Sequence, residues 1–288
     1  MNTLEITKNI LRENKIIAKK SFGQNFLVDD IILEKIVESA DLKEGDRVIE
    51  IGPGLGNLTN FLLDKKVNVT AFEIDTDMID VLNSRFGSND LLDIVNADIL
   101  KINLEEYLKE KDKKNKVIAN IPYYITTPII FKLLEYRKSI EGITLMIQKE
   151  VAKRITASPH SKDYGALTIN TNVFSDTKIL FDVPKEAFVP MPNVTSTVIK
   201  IIPNEEKEKV FKLKNEIFFK QFVKKAFSER RKKLINSLYN TSKDILSKQQ
   251  VIDTIGYVGL NENIRAEEVE IKDYVKMANY LYEKTQRK

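Results

Sequence analysis

Short apolar runs alternate with segments of helical periodicity through the first two thirds of the chain. Runs that predict strands cover residues 47–51, 68–74, 92–96, 116–120 and 142–147. Helical patterns follow them over residues 58–63, 78–86, 104–108, 128–136 and 150–157. This alternation is typical of an α/β protein, a parallel sheet with helices on both faces. Further β-rich runs over residues 167–174, 178–183 and 196–202 have no long helices between them, and they predict an antiparallel edge.

The composition excludes several kinds of chemistry and location. The 288 residues include no cysteine, so disulfides, thiolate metal sites and thiol nucleophiles are excluded. The single histidine, His160, lies in a polar stretch, which excludes a His/Cys metal cluster and a Ser-His triad. The first residues contain Glu5 and Glu13 without a continuous apolar stretch, and no window approaches the roughly 20 apolar residues of a membrane span. A cytoplasmic location and chemistry without a metal are therefore expected. A monomer is also expected, although composition does not determine the oligomeric state.

The chain changes character at Pro203 and Asn204. Beyond this point it is rich in lysine and glutamate, with apolar residues at helical spacing. These patterns divide the chain into an α/β domain over residues 1–203 and a helical domain over residues 204–288. Residues 203–288 hold 19 Lys and Arg against 13 Asp and Glu, whereas the rest of the chain holds 27 against 29.

A cluster of cations distinguishes the helical domain. The basic residues are Lys220, Lys224, Lys225, Arg230, Arg231, Lys232 and Lys233, and Glu229 alone opposes them. Such a patch is typical of nucleic-acid binding, with a solvated helix face as the alternative. Four phenylalanines interleave with the cations: Phe218, Phe219, Phe222 and Phe227. Part of this helix is therefore expected to pack against other residues.

A glycine-rich turn, Glu50–Gly56, follows the first predicted strand and opens a helix. Glycine permits a tight turn and lets a ligand approach the backbone closely. The spacing is G-x-G-x-G, which differs from the dinucleotide pattern G-x-G-x-x-G, and the Lys-Ser/Thr of a phosphate loop is missing. The pattern favours a nucleotide-like ligand over the alternative, a tight turn with no ligand.

Two carboxylates follow the next two strands. Glu73 ends the second strand, where it is able to accept both hydroxyls of a ribose. Asp98 follows the third strand, where it is able to accept from an adenine amino group, with Ile74 and Ile99 as apolar flanks. Either acid alone is more typical of a surface position. Together with the glycine turn they lie at the carboxyl ends of consecutive parallel strands, where open α/β sheets bind ligands.

The four residues Asn120–Tyr123 follow the next buried strand. They fix an amide, a carbonyl followed by proline, and an aromatic ring on one turn. This set suits a planar base with an exocyclic amino group: the Asn120 amide oxygen and the Ile121 carbonyl accept from the amine, and the ring stacks on the base. An ordinary strand-to-helix turn is the alternative, because Asn and Pro favour turns.

This series resembles S-adenosylmethionine-dependent methyltransferases that act on an adenine amino group. From about Lys19 to about Leu238 the chain is similar to the KsgA (RsmA) family of ribosomal RNA adenine dimethyltransferases. The similar motifs are Ser21–Leu27, Glu50–Gly56, Glu73–Asp75, Asn96–Ile99, Asn120–Tyr123, Gln148–Ala152, Phe188–Val194 with Ser196, and Ala226–Leu234. The resemblance implies a Rossmann-like methyltransferase fold, with a mostly parallel seven-stranded sheet, an antiparallel edge and a small C-terminal helical domain.

The resemblance also implies roles for individual residues. Asn25, Leu27, Gly52 and Gly54 would line the methionine end of S-adenosylmethionine, with Asn120 beside them. Glu73 would hold the ribose and Asp98 the adenine. Asn120 and the Ile121 carbonyl would grip the target amine, while Tyr123 and Phe188 would cover the two faces of the target base.

The family's substrate is two adjacent adenosines in a hairpin near the 3′ end of 16S ribosomal RNA, within an immature small subunit. The residues that would hold the RNA backbone are Lys224, Lys225, Arg230, Arg231, Lys232 and Lys233. One position departs from the pattern: Tyr124 stands where many relatives carry Asn, which leaves the identity of the stacking residue open between two neighbouring tyrosines.

Three rival functions remain. An Erm-type methyltransferase shares the fold but modifies large-subunit RNA; Pro53, Leu55 and the segment 188–196 fit the KsgA family better. A non-catalytic RNA-binding assembly factor would not need complete glycine and Asn120–Tyr123 motifs. An NAD-dependent oxidoreductase is disfavoured by the glycine spacing and by the missing catalytic His or Tyr-Lys pair.

Overall fold

A computed structural model describes residues 1–19, 23–108, 114–229, 231–243 and 246–286. The chain forms two compact units, one over Met1–Ala152 with Thr177–Pro203, the other over Lys153–Asp176 with Asn204–Lys288. The predicted division near residue 204 coincides with one junction between these units. Segment 153–176, which the sequence analysis assigned to the first domain, belongs to the second unit.

Nine strands are described. They are β1 (Phe26–Leu27), β2 (Arg47–Ile51), β3 (Asn68–Glu73), β4 (Leu92–Asn96), β5 (Asn115–Asn120), β6 (Ile140–Gln148), β7 (Ser175–Val183), β8 (Phe188–Val189) and β9 (Ser196–Pro203). Seven form one sheet in the order β4-β3-β2-β5-β6-β9-β7. The pairs from β4 to β6 are parallel, and β9 pairs antiparallel with β6. The predicted mostly parallel sheet with an antiparallel edge is therefore confirmed.

The α-helices of the described residues follow the predicted alternation. They are α1 (Thr3–Glu13), α2 (Asp30–Ser39), α3 (Asn57–Asp64), α4 (Thr76–Phe86), α5 (Thr126–Glu135), α6 (Lys149–Ile155), α7 (Ala166–Asn172), α8 (Glu205–Phe211), α9 (Glu216–Ala226), α10 (Leu234–Asn240), α11 (Lys248–Tyr257) and α12 (Ile271–Gln286). The helix predicted over residues 104–108 is a three-residue 3₁₀ turn, Leu104–Glu106. Within the described ranges, no helix combines the length and apolar character that a membrane crossing requires.

One predicted strand is wrong. The run over residues 167–174 is rich in β-branched residues, which favour strands, yet most of it forms α7. Side-chain contacts explain the helix: Thr168 Oγ1 accepts from the Gly165 N–H at 3.1 Å and donates to the Arg154 carbonyl at 2.5 Å. Ile169 is fully buried in the second unit's core. Tertiary packing therefore outweighs the local propensity.

The phenylalanines of α9 pack as the sequence predicts. Phe219 and Phe222 are buried in the second unit's core with Leu238 and Tyr274. Phe218 and Phe227 are partly buried against the same cluster. The cations of α9 therefore lie on a helix whose apolar side is fixed.

The first unit's core holds the sheet against its helices. Leu33 of α2, Leu62 of α3, Val48 of β2 and Ile118 of β5 are each at most 1% exposed and belong to one cluster. Because β2 and β5 are buried on both faces, consecutive residues in each are apolar, Val48 and Ile49 in β2 and residues 117–119 in β5. The polar residues at the carboxyl ends of these strands are consequently held on a rigid base.

Asn57, the first residue of α3, joins three elements. Its Nδ2 donates to Thr7 Oγ1 of α1 at 2.9 Å and to the Leu27 carbonyl of β1 at 2.8 Å. Leu27 in turn pairs with Phe188 in the two-stranded ladder of β1 and β8. A single buried amide therefore fixes the N-terminal helix and the strand beside Phe188.

We expect Asn57→Ala to lower the free energy of unfolding by about 1–3 kcal/mol, because the buried Leu27 carbonyl and Thr7 hydroxyl lose their donor. Urea denaturation measures the effect as a lower midpoint at unchanged slope. Asn60→Ala, an exposed position on the same helix, is the matched control and should change stability by less than about 0.5 kcal/mol. Equal midpoints for the two variants would contradict this role of Asn57.

Candidate active site

A cavity of the first unit brings together the residues predicted to bind cofactor and target base. The predicted residues that line it are Asn25, Leu27, Gly52, Gly54, Glu73, Asp98, Asn120, Tyr123 and Phe188. The topology explains this convergence, because β2, β3, β4 and β5 are parallel neighbours and end at the same edge. The β1–β8 ladder adds Leu27 and Phe188 as a directly paired couple.

The glycine turn has a backbone that only glycine adopts easily. Gly52, Gly54 and Gly56 have φ values of 67°, 56° and 78°, in the left-handed region that other residues avoid. There is also little room for a side chain at two of these glycines. A Cβ on Gly56 would lie 2.5 Å from the Phe86 ring, and one on Gly54 would lie 3.2 Å from the Phe26 ring. The turn is thus fixed in shape by conformation and by packing.

Glu73 organises the neighbourhood of that turn. Its carboxylate accepts from the N–H groups of Gly54 at 3.0 Å, Ile74 at 2.8 Å and Asp75 at 2.9 Å. Burial raises the pKa of Glu73, and these three N–H donors oppose that effect because they favour the charged form. The carboxylate is therefore oriented before any ligand binds.

Glu50 is a site residue to which the sequence analysis assigned no role. It is 1% exposed, and its Oε2 accepts from Thr59 Oγ1 at 2.7 Å. Its Oε1 has no hydrogen-bond partner among the described residues. Burial raises the pKa of Glu50 to about 8, against the Thr59 hydrogen bond and with a further contribution from the charge of Glu73. A buried, unpaired carboxyl oxygen beside the cavity suits a cationic ligand group.

Asp98 lies just after β4 with apolar neighbours. Its Oδ1 accepts from the Leu100 N–H at 3.0 Å, and the exposed Lys101 ammonium lies 3.5 Å from its Oδ2. Ile99 is buried, whereas Ile74 is 48% exposed although it lines the cavity. Two apolar side chains and a carboxylate therefore line the same cavity. Such a lining suits a planar heterocycle that carries an amino group.

Asn120 ends β5 with its amide oriented by the backbone of Asn25. Asn120 Nδ2 donates to the Asn25 carbonyl at 3.4 Å, which leaves Oδ1 as the available acceptor. Among the described residues, neither this oxygen nor the Ile121 carbonyl accepts a hydrogen bond. Pro122 follows, so two consecutive residues of the turn each provide a neutral acceptor.

Two aromatic rings complete the cavity. The Tyr123 hydroxyl lies 2.7 Å from Oγ of Ser196, the fully buried first residue of β9. Burial raises the pKa of Tyr123, so the phenol is neutral at physiological pH. Phe188 is 3% exposed and held by its pairing with Leu27. The sequence identified Ser196 within a motif, but the tyrosine–serine contact joins residues 73 positions apart.

The predicted cationic cluster lies in the second unit. Lys224, Arg231, Lys232 and Lys233 are exposed and Lys225 is half-buried. Lys232 forms an ion pair with Glu229 at 2.9 Å, and Lys233 Nζ donates to Asn263 Oδ1 at 2.6 Å. Arg230 lies outside the described residues, as do Ser21 and Phe22 of the first motif.

Fold and site define a Rossmann-like methyltransferase. A dimethyladenosine transferase from Plasmodium falciparum has a similar structure, with a TM-score of 0.76 and 28% identity over 91% of this chain and 98% of that one. The 23S rRNA methyltransferase ErmE has a TM-score of 0.63 over 90% of this chain and 100% of that one. At 24% identity, the second likeness shows the fold alone.

Sequence comparison gives the family. The profile of Ribosomal RNA adenine dimethylase matches residues 16–283. Ribosomal RNA small subunit methyltransferase A of Lachnoclostridium phytofermentans is 41% identical over 281 residues, 96% of each chain. The protein of the same name from Alkaliphilus oremlandii is 42% identical over 280 residues, also 96% of each. The chain belongs to the ribosomal RNA adenine dimethylase family, which confirms the predicted resemblance, and membership implies S-adenosylmethionine as methyl donor.

The buried carboxyl group of Glu50 should lower the free energy of unfolding as pH rises. Its folded-state pKa of about 8 lies above the ordinary value of 4.5, so the folded state holds a proton that the unfolded chain releases. The associated stability is complete below pH 4.5 and is lost as pH rises toward 8, by at most about 1.4 kcal/mol per pH unit.

Glu50→Gln keeps an acceptor for Thr59 but does not titrate. Urea denaturation at pH 5 and pH 8 measures how far the free energy of unfolding declines over this range. The decline in Glu50→Gln should be smaller than the decline in the unmodified protein, by more than about 1 kcal/mol. Parallel pH profiles for the two proteins would show that Glu50 ionises normally.

Proposed function

We propose that this chain transfers methyl groups from S-adenosylmethionine to N6 of two adjacent adenosines, in a hairpin near the 3′ end of 16S ribosomal RNA within an immature small subunit. The observation that carries the proposal is a pair of neutral acceptors to which no described residue donates, Asn120 Oδ1 and the Ile121 carbonyl, on a cavity lined by Tyr123 and Phe188. The names of the 41–42% identical relatives support the choice of the small subunit.

The residues of the cavity fit S-adenosylmethionine. Glu73 would hold the ribose, Asp98 the adenine amine and Ile74 with Ile99 the adenine faces, while the unpaired Oε1 of Glu50 suits the ammonium of the methionine end. Asn25, Leu27, Gly52 and Gly54 would line that same end, with Asn120 beside them. When bound, this cofactor supplies an electrophilic methyl group on a positively charged sulfur.

Asn120 and Ile121 would prepare the target nitrogen. The adenine amine is a poor nucleophile, because its lone pair is delocalised into the ring. Hydrogen bonds from both N–H groups to these acceptors favour a pyramidal nitrogen whose lone pair points away from them. Positioning and fixed dipoles would thus supply most of the rate.

The same acceptors account for a second transfer. After one methylation the amine retains one N–H, which one of the two acceptors still holds. Both acceptors are neutral, so they do not trap the positively charged product before it loses its proton to water. A dedicated general base is therefore not required.

The target base must leave its stack to enter the cavity, at roughly a few kcal/mol. Tyr123 and Phe188 would cover its two faces and offset that cost. The Ser196 contact holds the Tyr123 ring in place before the base arrives, so little side-chain entropy would be lost on binding.

The second unit would bind the RNA backbone through Lys224, Lys225, Arg230, Arg231, Lys232 and Lys233. Phosphate contacts of this kind give affinity without sequence specificity, and the affinity falls as salt rises. Specificity would then come from the cavity and from the shape of the assembled particle.

Methylation of purified, unmodified ribosomal particles tests the proposal. We expect label from methyl-labelled S-adenosylmethionine in small-subunit RNA, mapped by mass spectrometry to two adjacent dimethylated adenosines near its 3′ end. Label confined to large-subunit RNA would instead identify an Erm-type enzyme. Cofactor binding with no transfer to either particle would identify a non-catalytic assembly factor.

Asn120→Ala should reduce kcat by about 100-fold or more, the usual loss when one preorganised polar group at a reacting centre is removed. The measurement is steady-state methyl transfer at saturating substrate concentrations, with thermal unfolding as the folding check. Asn60→Ala, remote from the cavity, should leave kcat unchanged. An Asn120→Ala variant that turns over normally would refute the role of this amide.

Neutralising residues 230–233 with glutamine should weaken RNA binding and flatten its salt dependence. Each lost phosphate contact removes about 0.7–0.9 from the slope of log affinity against log salt, while cofactor affinity should not change. The measurement is RNA binding over a series of salt concentrations.

The matched control for this variant neutralises four exposed lysines of the first unit, Lys8, Lys43, Lys65 and Lys138. We expect a salt slope close to that of the unmodified protein. The same flattening in both variants would mean that overall charge, and not the cluster in the second unit, determines RNA affinity.

A further inference from the structure

We propose that Tyr124 is a second stacking platform, which binds the nucleobase next to the target adenosine. The inference rests on the proposed function, because it requires an RNA whose target base has been extruded. It assigns to Tyr124 a role different from that of Tyr123, although both belong to one 3₁₀ turn, Tyr123–Ile125.

The two neighbouring tyrosines have different surroundings. Tyr123 is partly buried and held by Ser196, whereas Tyr124 is 61% exposed although it also lines the cavity. Among the described residues, the Tyr124 hydroxyl forms no hydrogen bond. Tyr124 therefore presents a large aromatic surface at the entrance of the site. Core packing does not explain why an aromatic residue occupies this exposed position.

The Tyr124 ring nevertheless lies close to the backbone of Gly23. A Cβ built on Gly23 would lie 3.6 Å from Cε1 of Tyr124 and 3.5 Å from Cβ of Pro122. Gly23 has a φ of 61°, which favours glycine and lets the backbone approach the ring. A ring that lies close to the chain at Gly23 and is 61% exposed is suited to stacking.

Base extrusion creates a need for such a surface. When the target adenine leaves the stack, the neighbouring base loses its partner on that side. Stacking of a base on an aromatic side chain is worth about 1–3 kcal/mol and tolerates any base. Consecutive residues have Cα atoms about 3.8 Å apart, so Tyr123 and Tyr124 are within reach of consecutive nucleotides.

The test compares the loss of the Tyr124 ring with the loss of the neighbouring base, separately and together. Small-subunit particles are assembled with RNA that carries either the natural base or an abasic nucleotide on the 5′ or the 3′ side of one target adenosine. Methyl transfer gives KM and kcat for the unmodified enzyme, Tyr124→Ala and Tyr124→Phe. Thermal unfolding and S-adenosylmethionine affinity of each variant show that fold and cofactor site are intact.

We expect Tyr124→Ala to raise KM for the natural particle about tenfold, with kcat little changed and with KM restored in Tyr124→Phe. An abasic neighbour on one side should raise KM of the unmodified enzyme similarly and should add nothing to the effect of Tyr124→Ala. The matched control, Tyr257→Ala, replaces a tyrosine of the second unit that is 60% exposed, and its response to the abasic neighbour should equal that of the unmodified enzyme.

Two results would overturn the inference: an unchanged KM in Tyr124→Ala, or additive effects of the side chain and the abasic neighbour on both sides. Failure of the proposed function looks different, since the unmodified enzyme would then transfer no methyl group to the natural particle. That result would remove the RNA substrate on which the platform depends.

Discussion

The buried carboxylate of Glu73 is the interaction on which the site depends. A charged group in this position is costly unless N–H donors surround it. The donors come from three places: Gly54 of the glycine turn, Ile74 just after β3, and Asp75, the N-cap of α4. The demand for these donors fixes the turn, the strand and the helix relative to one another.

The cavity has two parts whose polar groups differ chemically. Glu50, Glu73 and Asp98 provide carboxyl groups where the donor of the methyl group is proposed to lie. Asn120 and the Ile121 carbonyl provide only neutral acceptors where the target amine is proposed to lie. This separation suits a reaction in which positive charge moves from sulfur to nitrogen, because the neutral part does not retain the charged product. Catalysis would then depend on orientation, which the rigid strand ends supply.

Much of this arrangement was predictable because a parallel sheet gathers the residues that follow its strands. Glu73, Asp98 and Asn120 each follow an apolar run, and topology alone brings them to one edge. Burial and long-range contacts were not predictable. The unpaired oxygen of Glu50 depends on how α3 covers β2, and α7 forms because distant contacts outweigh β-branched propensity.

The proposed function requires an adenine between Tyr123 and Phe188, with its amine on Asn120 and Ile121. A crystal structure of the protein with S-adenosylhomocysteine and adenosine monophosphate tests it directly. We expect the N6 amine about 3 Å from Asn120 Oδ1 and from the Ile121 carbonyl oxygen, with the cofactor ribose on Glu73. A nucleotide bound elsewhere, or a cofactor whose own adenine occupies the Asn120 turn, would contradict it.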